Sequence, residues 1–178
     1  MSAPRDEFER MVSAYERRIY NVALKLTGNA DEAADLTQET FLRAFRAWGR
    51  FRGDSATYTW LYRIVVNLNK DRIGRDVRRR ERETSIDTGG AQSGPIEIED
   101  SGITPHGEAE RYEARDVLAQ AIRDLPDGYR ECVVLKDIEG LSYDEIAQVM
   151  DITVEAVRSR LARGRQQLRQ RLAPYLKT

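Results

Sequence analysis

Apolar residues recur at steps of three and four along most of this 178-residue chain, the signature of helices with one inward face. Phe8, Met11, Tyr15, Ile19, Val22 and Leu26 form the first such stripe. Gly28 stops it, and Asn29 with Glu32 forms a capping pair that opens a second helix. Ala34, Phe41, Phe45 and Trp48 fall on overlapping turns of that helix and are expected to face inward, before breaks at Gly49 and Gly53. A third helix is predicted to open near Ser55 or Thr57 and to run through Leu61, Ile64, Val65, Leu68 and Ile73. No stretch shows the strict alternation of a strand.

The pattern then lapses. Residues 84–105, "TSIDTGGAQSGPIEIEDSGITP", are dominated by Gly, Ser, Thr, Pro and acids, the composition of a linker or of a segment ordered by a partner. Helical spacing resumes with Ala109, Tyr112, Val117, Leu118, Ala121 and Leu125, "PDG" at 126–128 turns the chain, and Cys132, Val133, Leu135 and Ile138 mark a further short helix. The expected architecture is all-α: two small helical domains joined by a flexible acidic linker, with boundaries at residues 1–82, 83–108 and 109–178.

The most specific local signal follows. Ser142 and Glu145 make a capping box ahead of Ile146, Val149 and Met150. Asp151 and Ile152 form a short turn, and Thr153 caps a last helix with Glu155 in its first turn. Ala147 is small where two crossing helices approach, and Ile152 and Val157 supply packing between them. This is the layout of a helix-turn-helix. Asp151 occupies the place of the usual turn glycine and tolerates a left-handed backbone better than most residues. At ~100° per residue, Val154, Val157, Leu161, Leu168 and Leu172 gather on one side of the last helix. Glu155, Ser159, Ala162, Arg163 and Gln166 fall opposite, with Arg158 and Arg169 on a flank. Arginine and small polar groups on an exposed helix suit base edges in the major groove, and flanking arginines suit phosphates.

Charge sharpens this picture. The net charge of −1 conceals segregation: residues 70–82 carry 7 basic and 3 acidic side chains, residues 83–113 carry 1 and 8, and residues 158–178 carry 7 and none. Two basic blocks separated by an acidic stretch imply two surfaces facing polyanions. Cys132 and His106 are the only residues of their kinds, which removes internal disulfides, most zinc sites and histidine-based triads. No metal, cofactor or catalytic set is expected. The N-terminus "MSAPRDEFERM" lacks the apolar core of a secretory signal, and no apolar run approaches the ~20 residues of a membrane span, so a cytoplasmic protein is expected.

One stretch asks for more than duplex binding. "FRGDSATYTWLYRIVVN", residues 51–67, sets Tyr58, Trp60 and Tyr62 beside Arg63, just after Gly53, Asp54 and Ser55. Aromatic faces stack on unpaired bases, each stack stabilising binding by ~1–3 kcal/mol whatever the base. The same three side chains also suit a hydrophobic core.

That stretch resembles the promoter-melting region of bacterial sigma factors of the extracytoplasmic-function type. "DEAADLTQETFLRAFRAW", residues 31–48, resembles the helix preceding it, and residues 125–168 are similar to the family's second DNA-binding domain. The resemblance implies that the helix carrying Asp35, Gln38 and Glu39 docks on the polymerase β′ coiled coil, with Leu36 and Phe41 packing inside. It implies that Gly53, Asp54, Ser55, Ala56 and Thr57 form a loop capturing a flipped non-template base of the −10 element. Thr57 stands where some members carry an aromatic. Tyr58, Trp60, Arg63 and Asn67 would support strand separation, Arg158, Ser159, Ala162 and Arg163 would read the −35 element, and the acidic linker would thread toward the active-site channel. The implied partners are core RNA polymerase, through its β′ coiled coil and β flap, promoter DNA, and an anti-sigma factor.

Two other readings stay open on the sequence. A free-standing helix-turn-helix regulator needs neither a docking helix nor an aromatic single-strand surface. An enzyme with helical domains is disfavoured by the lack of a convergent nucleophile, base or metal set.

Overall fold

A computed structural model describes residues 4–51, 53, 56–83 and 105–175. Among these residues every regular element is a helix. Of the linker expected at 83–108, Glu83 still closes one helix and residues 105–108 already begin another, while residues 84–104 lie outside the described residues. The chain divides into two compact units, with residues 1–93 as the body of the first and residues 94–147 and 152–178 forming the second.

The first unit holds α1 (Pro4–Thr27), α2 (Ala30–Ala47) and α3 (Thr57–Glu83), with a 3-10 turn at Trp48–Arg50. Gly28 ends α1 at a φ of 70°, and Asn29 accepts the Glu32 amide at 3.0 Å, so the predicted cap between α1 and α2 forms. Phe8, Met11, Ile19, Val22 and Leu26 are buried, as their stripe requires. From α3 come Leu61, Tyr62, Val65, Val66 and Leu68, all buried.

The inner face of α2 differs from the expected one. Ala33, Leu36, Thr37, Thr40 and Ala44 are buried, whereas Ala34 is exposed and Phe45 is 58% exposed. Two threonines occupy the inner stripe because their hydroxyls donate back to helix carbonyls, Thr37 to Ala33 and Thr40 to Leu36, each at 2.7 Å. A hydroxyl satisfied within its own helix is buried at little cost. The hydrophobic pattern was therefore rotated by the aromatics at the helix edge. Arg72 of α3 ties down the start of α2 through Glu32 at 2.7 Å.

The second unit holds α4 (Pro105–Arg123), α5 (Asp127–Val133), a π-helical turn (Val134–Ile138), most of α6 (Tyr143–Met150) and α7 (Val154–Leu172). Pro126 caps α5, so Asp127 and Gly128 form its first turn rather than a loop. The Arg130 side chain donates to the carbonyls of Ile122, Arg123 and Leu125, satisfying acceptors that the end of α4 leaves over. Residues 131–135 are all buried, which only a helix enclosed on every side permits. Gly164 makes that enclosure close: a Cβ there would stand 3.0 Å from a Val133 methyl and 3.3 Å from Tyr129 Cβ.

Two helical glycines consequently respond oppositely to alanine. Gly74 has only the tip of Arg78 nearby, at 3.9 Å, so Gly74→Ala should stabilise by ~0.5–1 kcal/mol through helix propensity. Gly164→Ala should destabilise, because overpacking of ~1–3 kcal/mol outweighs the same propensity gain. Urea unfolding followed by circular dichroism checks both signs.

Candidate nucleic-acid interface

In the first unit the chain leaves Trp48–Arg50, extends through Phe51, and turns at Gly53, which is exposed with a φ of 72°. That left-handed backbone favours glycine at this position. Asp54 and Ser55 lie outside the described residues. Ala56 is exposed, its carbonyl accepts the Trp60 amide at 3.1 Å, and Thr57 starts α3 half-buried.

The three aromatics at 58, 60 and 62 do not form one platform. Helical geometry sends residue 60 roughly 200° away from residue 58. Tyr58 and Tyr62 share a face with ring centroids 6.2 Å apart, and Tyr62 is fully buried beneath Arg18. Tyr62 belongs to the core. Trp60 is half-buried and stacks on Phe51 with centroids 4.5 Å apart. Its ring continues a chain of aromatics through Trp48 and Phe8 to Phe45. Arg63 and Asn67 are exposed and sit three and seven residues beyond Trp60, hence on the same side of α3. Trp60, Arg63 and Asn67 thus form a stripe beginning beside the Gly53 turn.

On α2, Asp35 and Gln38 are exposed, and Glu39 is half-exposed and bonded to Arg43 at 3.2 Å. Leu36 is buried, but Phe41 is only half-buried, at a groove of about 660 Å³ whose lining also includes Phe8, Val12, Tyr20, Leu42 and Phe45. Leu42 and Phe45 stand seven and ten residues after Asp35, so one exposed stripe carries both acidic and apolar groups. The sequence reading missed these two by placing Phe45 inside; the signal was their helical spacing from Asp35 and Gln38.

The second unit builds its surface on reciprocal caps. Glu145 accepts from the Ser142 amide at 2.8 Å while Ser142 accepts from the Glu145 amide at 3.2 Å. Asp151 turns the chain at a φ of 55°, and Thr153 accepts from the Ala156 amide at 3.2 Å. Along α7, Val157, Leu161 and Gly164 are buried, and Val154, Leu168 and Leu172 are half-buried. Arg158, Ser159, Ala162 and Arg163 are exposed together with Glu155, Gln166 and Arg169, so the predicted division of faces holds.

Not every arginine of the basic tail faces outward to a ligand. Arg165 grips Asp137 through two bonds of 3.0 and 2.5 Å, and Arg171 binds Asp124 at 2.6 Å. Hydrogen bonding to Asp137 raises the Arg165 pKa, and the Tyr129 hydroxyl, 3.5 Å from Arg163, raises that of Arg163. Both therefore stay cationic. A cationic helix face with small residues at its centre, carried by a capped helix-turn-helix, defines a DNA-binding protein.

Comparison with known proteins fixes the class further. Residues 11–80 match sigma-70 region 2, and residues 115–168 match sigma-70 region 4. The RNA polymerase sigma-H factor of Pseudomonas aeruginosa is 36% identical over 171 residues, 96% of this chain and 88% of that one. The ECF RNA polymerase sigma-E factor of Escherichia coli K12 is 34% identical over 172 residues, with coverage of 96% and 88%. The sigma factor RpoE of Bartonella quintana, solved in complex with the anti-sigma factor NepR, shares the fold at a TM-score of 0.75 and 20% identity, over 94% of this chain and 97% of that one. The chain belongs to the extracytoplasmic-function family of RNA polymerase sigma factors, and its function is promoter-directed transcription initiation. Among the described residues no helix is long and apolar enough to cross a membrane.

The divided roles of the aromatic stretch have a direct consequence. Tyr62→Ala should cost ~3–5 kcal/mol, as truncation of large buried rings does, while Arg63→Ala should stay within about 0.5 kcal/mol of wild type, as exposed sites do. Thermal and urea unfolding of the two variants checks the split.

Proposed function

We propose that the chain works as three consecutive parts: a domain at 1–82 that docks on polymerase and opens the −10 element, a linker at 83–108, and a domain at 109–178 that reads the −35 element. It acts in the cytoplasm and has no catalysis of its own; the chemistry belongs to the core RNA polymerase it joins. The observation that carries this reading is the stripe of half-buried Trp60 with exposed Arg63 and Asn67 leading from the Gly53 turn. A regulator of duplex DNA has no use for such a surface beside a second, separate recognition helix.

In this reading the loop of Gly53, Asp54, Ser55, Ala56 and Thr57 receives a base flipped from the non-template strand. Trp60 offers the outer part of a ring already braced by Phe51, Tyr58 contributes its half-exposed edge, Arg63 meets the backbone, and Asn67 bonds a base edge. Arg158, Ser159, Ala162 and Arg163 enter the −35 major groove, with arginine suited to guanine O6 and N7. Asp35, Gln38 and Glu39 dock on the β′ coiled coil, with Leu42 and Phe45 as the apolar centre of the contact, and the C-terminal domain meets the β flap. An exposed mixed groove of this kind also suits an anti-sigma factor, the partner with which the Bartonella quintana relative was solved.

Four variants test the assignments separately. Asn67→Ala should keep wild-type thermal stability yet impair promoter opening, read as lost permanganate reactivity of −10 thymines, and a template already mismatched there should restore transcription. Normal reactivity and unaltered −10 preference would remove Asn67 from this role. Lysine at both Asp35 and Glu39 should weaken binding to core polymerase by about tenfold or more, measured by pull-down; unchanged binding would take the acidic face out of docking. Arg163→Ala should relax selectivity at one or two −35 positions by ~1–3 kcal/mol, whereas Arg169→Ala should weaken all sequences alike and flatten the salt dependence. The reverse result would mean that the recognition face is rotated.

A further inference from the structure

Tyr143, the first residue of α6, meets cations from two other segments of the second unit. The Lys136 ammonium lies 4.9 Å from its ring centroid and the Arg158 guanidinium 5.8 Å. A third cation, Arg165, feels the tyrosine as a minor influence behind the dominant hydrogen bond to Asp137. The surroundings of the ring are fixed. Its neighbour Ser142 is locked in the capping box with Glu145, and Lys136 is pinned by donating to the Leu141 carbonyl at 3.0 Å. Arg165, bound twice to Asp137, is likewise fixed. Arg158 is different: it is exposed, at the flank of α7.

We propose that Tyr143 is a positioning residue for promoter recognition, its ring holding the Arg158 guanidinium in the orientation from which it engages DNA. A long arginine side chain gives up considerable rotamer freedom when it docks. A ring face attracts the cation without neutralising it, as a carboxylate would, so the guanidinium is ordered while its charge and its hydrogen-bond donors stay available. Ordering before contact lowers the cost of binding. The interaction also couples the first helix of the helix-turn-helix to the second through a side chain that touches the ligand-facing flank rather than through the core. The proposal rests on the reading that this flank of α7 faces the −35 element.

The test is a double-mutant cycle on the holoenzyme, made from the full chain and core polymerase, bound to duplex promoter. Arg158→Ala should weaken binding by the same factor in the wild type and in Tyr143→Phe, which keeps the ring. In Tyr143→Leu, which removes the ring, Arg158→Ala should cost roughly two- to fivefold less. Circular dichroism and thermal unfolding establish that each variant folds. Should Tyr143→Leu fail to fold, pentafluorophenylalanine at position 143, which keeps the shape and inverts the charge of the ring face, replaces it with the same expected loss. If Arg158→Ala costs the same in all backgrounds, Tyr143 does not position it, and the −35 reading stands. If Arg158→Ala leaves promoter binding unchanged in the wild type, the placement of this flank on DNA is itself wrong and the proposal falls with it.

Discussion

The close approach of α5 and α7 at Gly164 sets the rotation of α7 about its own axis, and the rotation decides which side chains that helix presents. With Val133 and Tyr129 pressed against the glycine and with Val157 and Leu161 buried on the same side, only one face remains outward. A turn of one residue, ~100°, would carry Arg158 or Arg163 inward, depending on its direction, and turn leucine outward. The ion pairs of Arg165 with Asp137 and of Arg171 with Asp124 reinforce this rotation from the edge. Exposed pairs of this kind contribute little stability by themselves, typically ~0–1 kcal/mol. Their value is geometric: Arg165 and Arg171 stand ~120° apart around the helix, one at each edge of the buried face, and two such fixed points oppose its rolling. The first unit uses the same logic on α3, where buried Leu61, Tyr62 and Val65 leave Trp60, Arg63 and Asn67 outward.

Electrostatics enters after packing. The basic blocks at 70–82 and 158–178 are visible in composition, but the folded units assign their members different work. Arg72, Arg165 and Arg171 are engaged by carboxylates within their own units, whereas Arg158 and Arg163 meet aromatic side chains that leave their charge intact. Contacts to phosphate govern affinity and salt dependence, and contacts to base edges govern specificity. Counting arginines would overstate the first and say nothing about the second.

Helix existence, the caps at Asn29, Ser142 and Thr153, the left-handed Asp151 and the division of faces on α7 were legible in the sequence because each depends on local spacing or on one side chain meeting a nearby amide. What failed depended on neighbours in space. The inner face of α2 was assigned to its aromatics, but threonines satisfied by their own helix took that place and Phe45 went to the surface. Tyr58, Trp60 and Tyr62 looked like one cluster because alternation in sequence resembles proximity; on a helix it separates Tyr62, a core residue, from Trp60. The role of Gly164 was invisible, since only the approach of Val133 and Tyr129 explains why a helix interior carries a glycine. The ring of Tyr143 beneath Arg158 likewise needs the turn of the helix-turn-helix to bring residues fifteen apart together.

Run-off transcription by core RNA polymerase on a panel of promoter duplexes, with and without the chain, tests the account most directly. The account predicts transcripts from defined start sites, on a subset of promoters, only when the chain and core polymerase are present together, and no shift of the same duplexes by the chain alone. Transcription at the level of core polymerase by itself on every promoter, or a specific duplex shift that needs no polymerase, would contradict it.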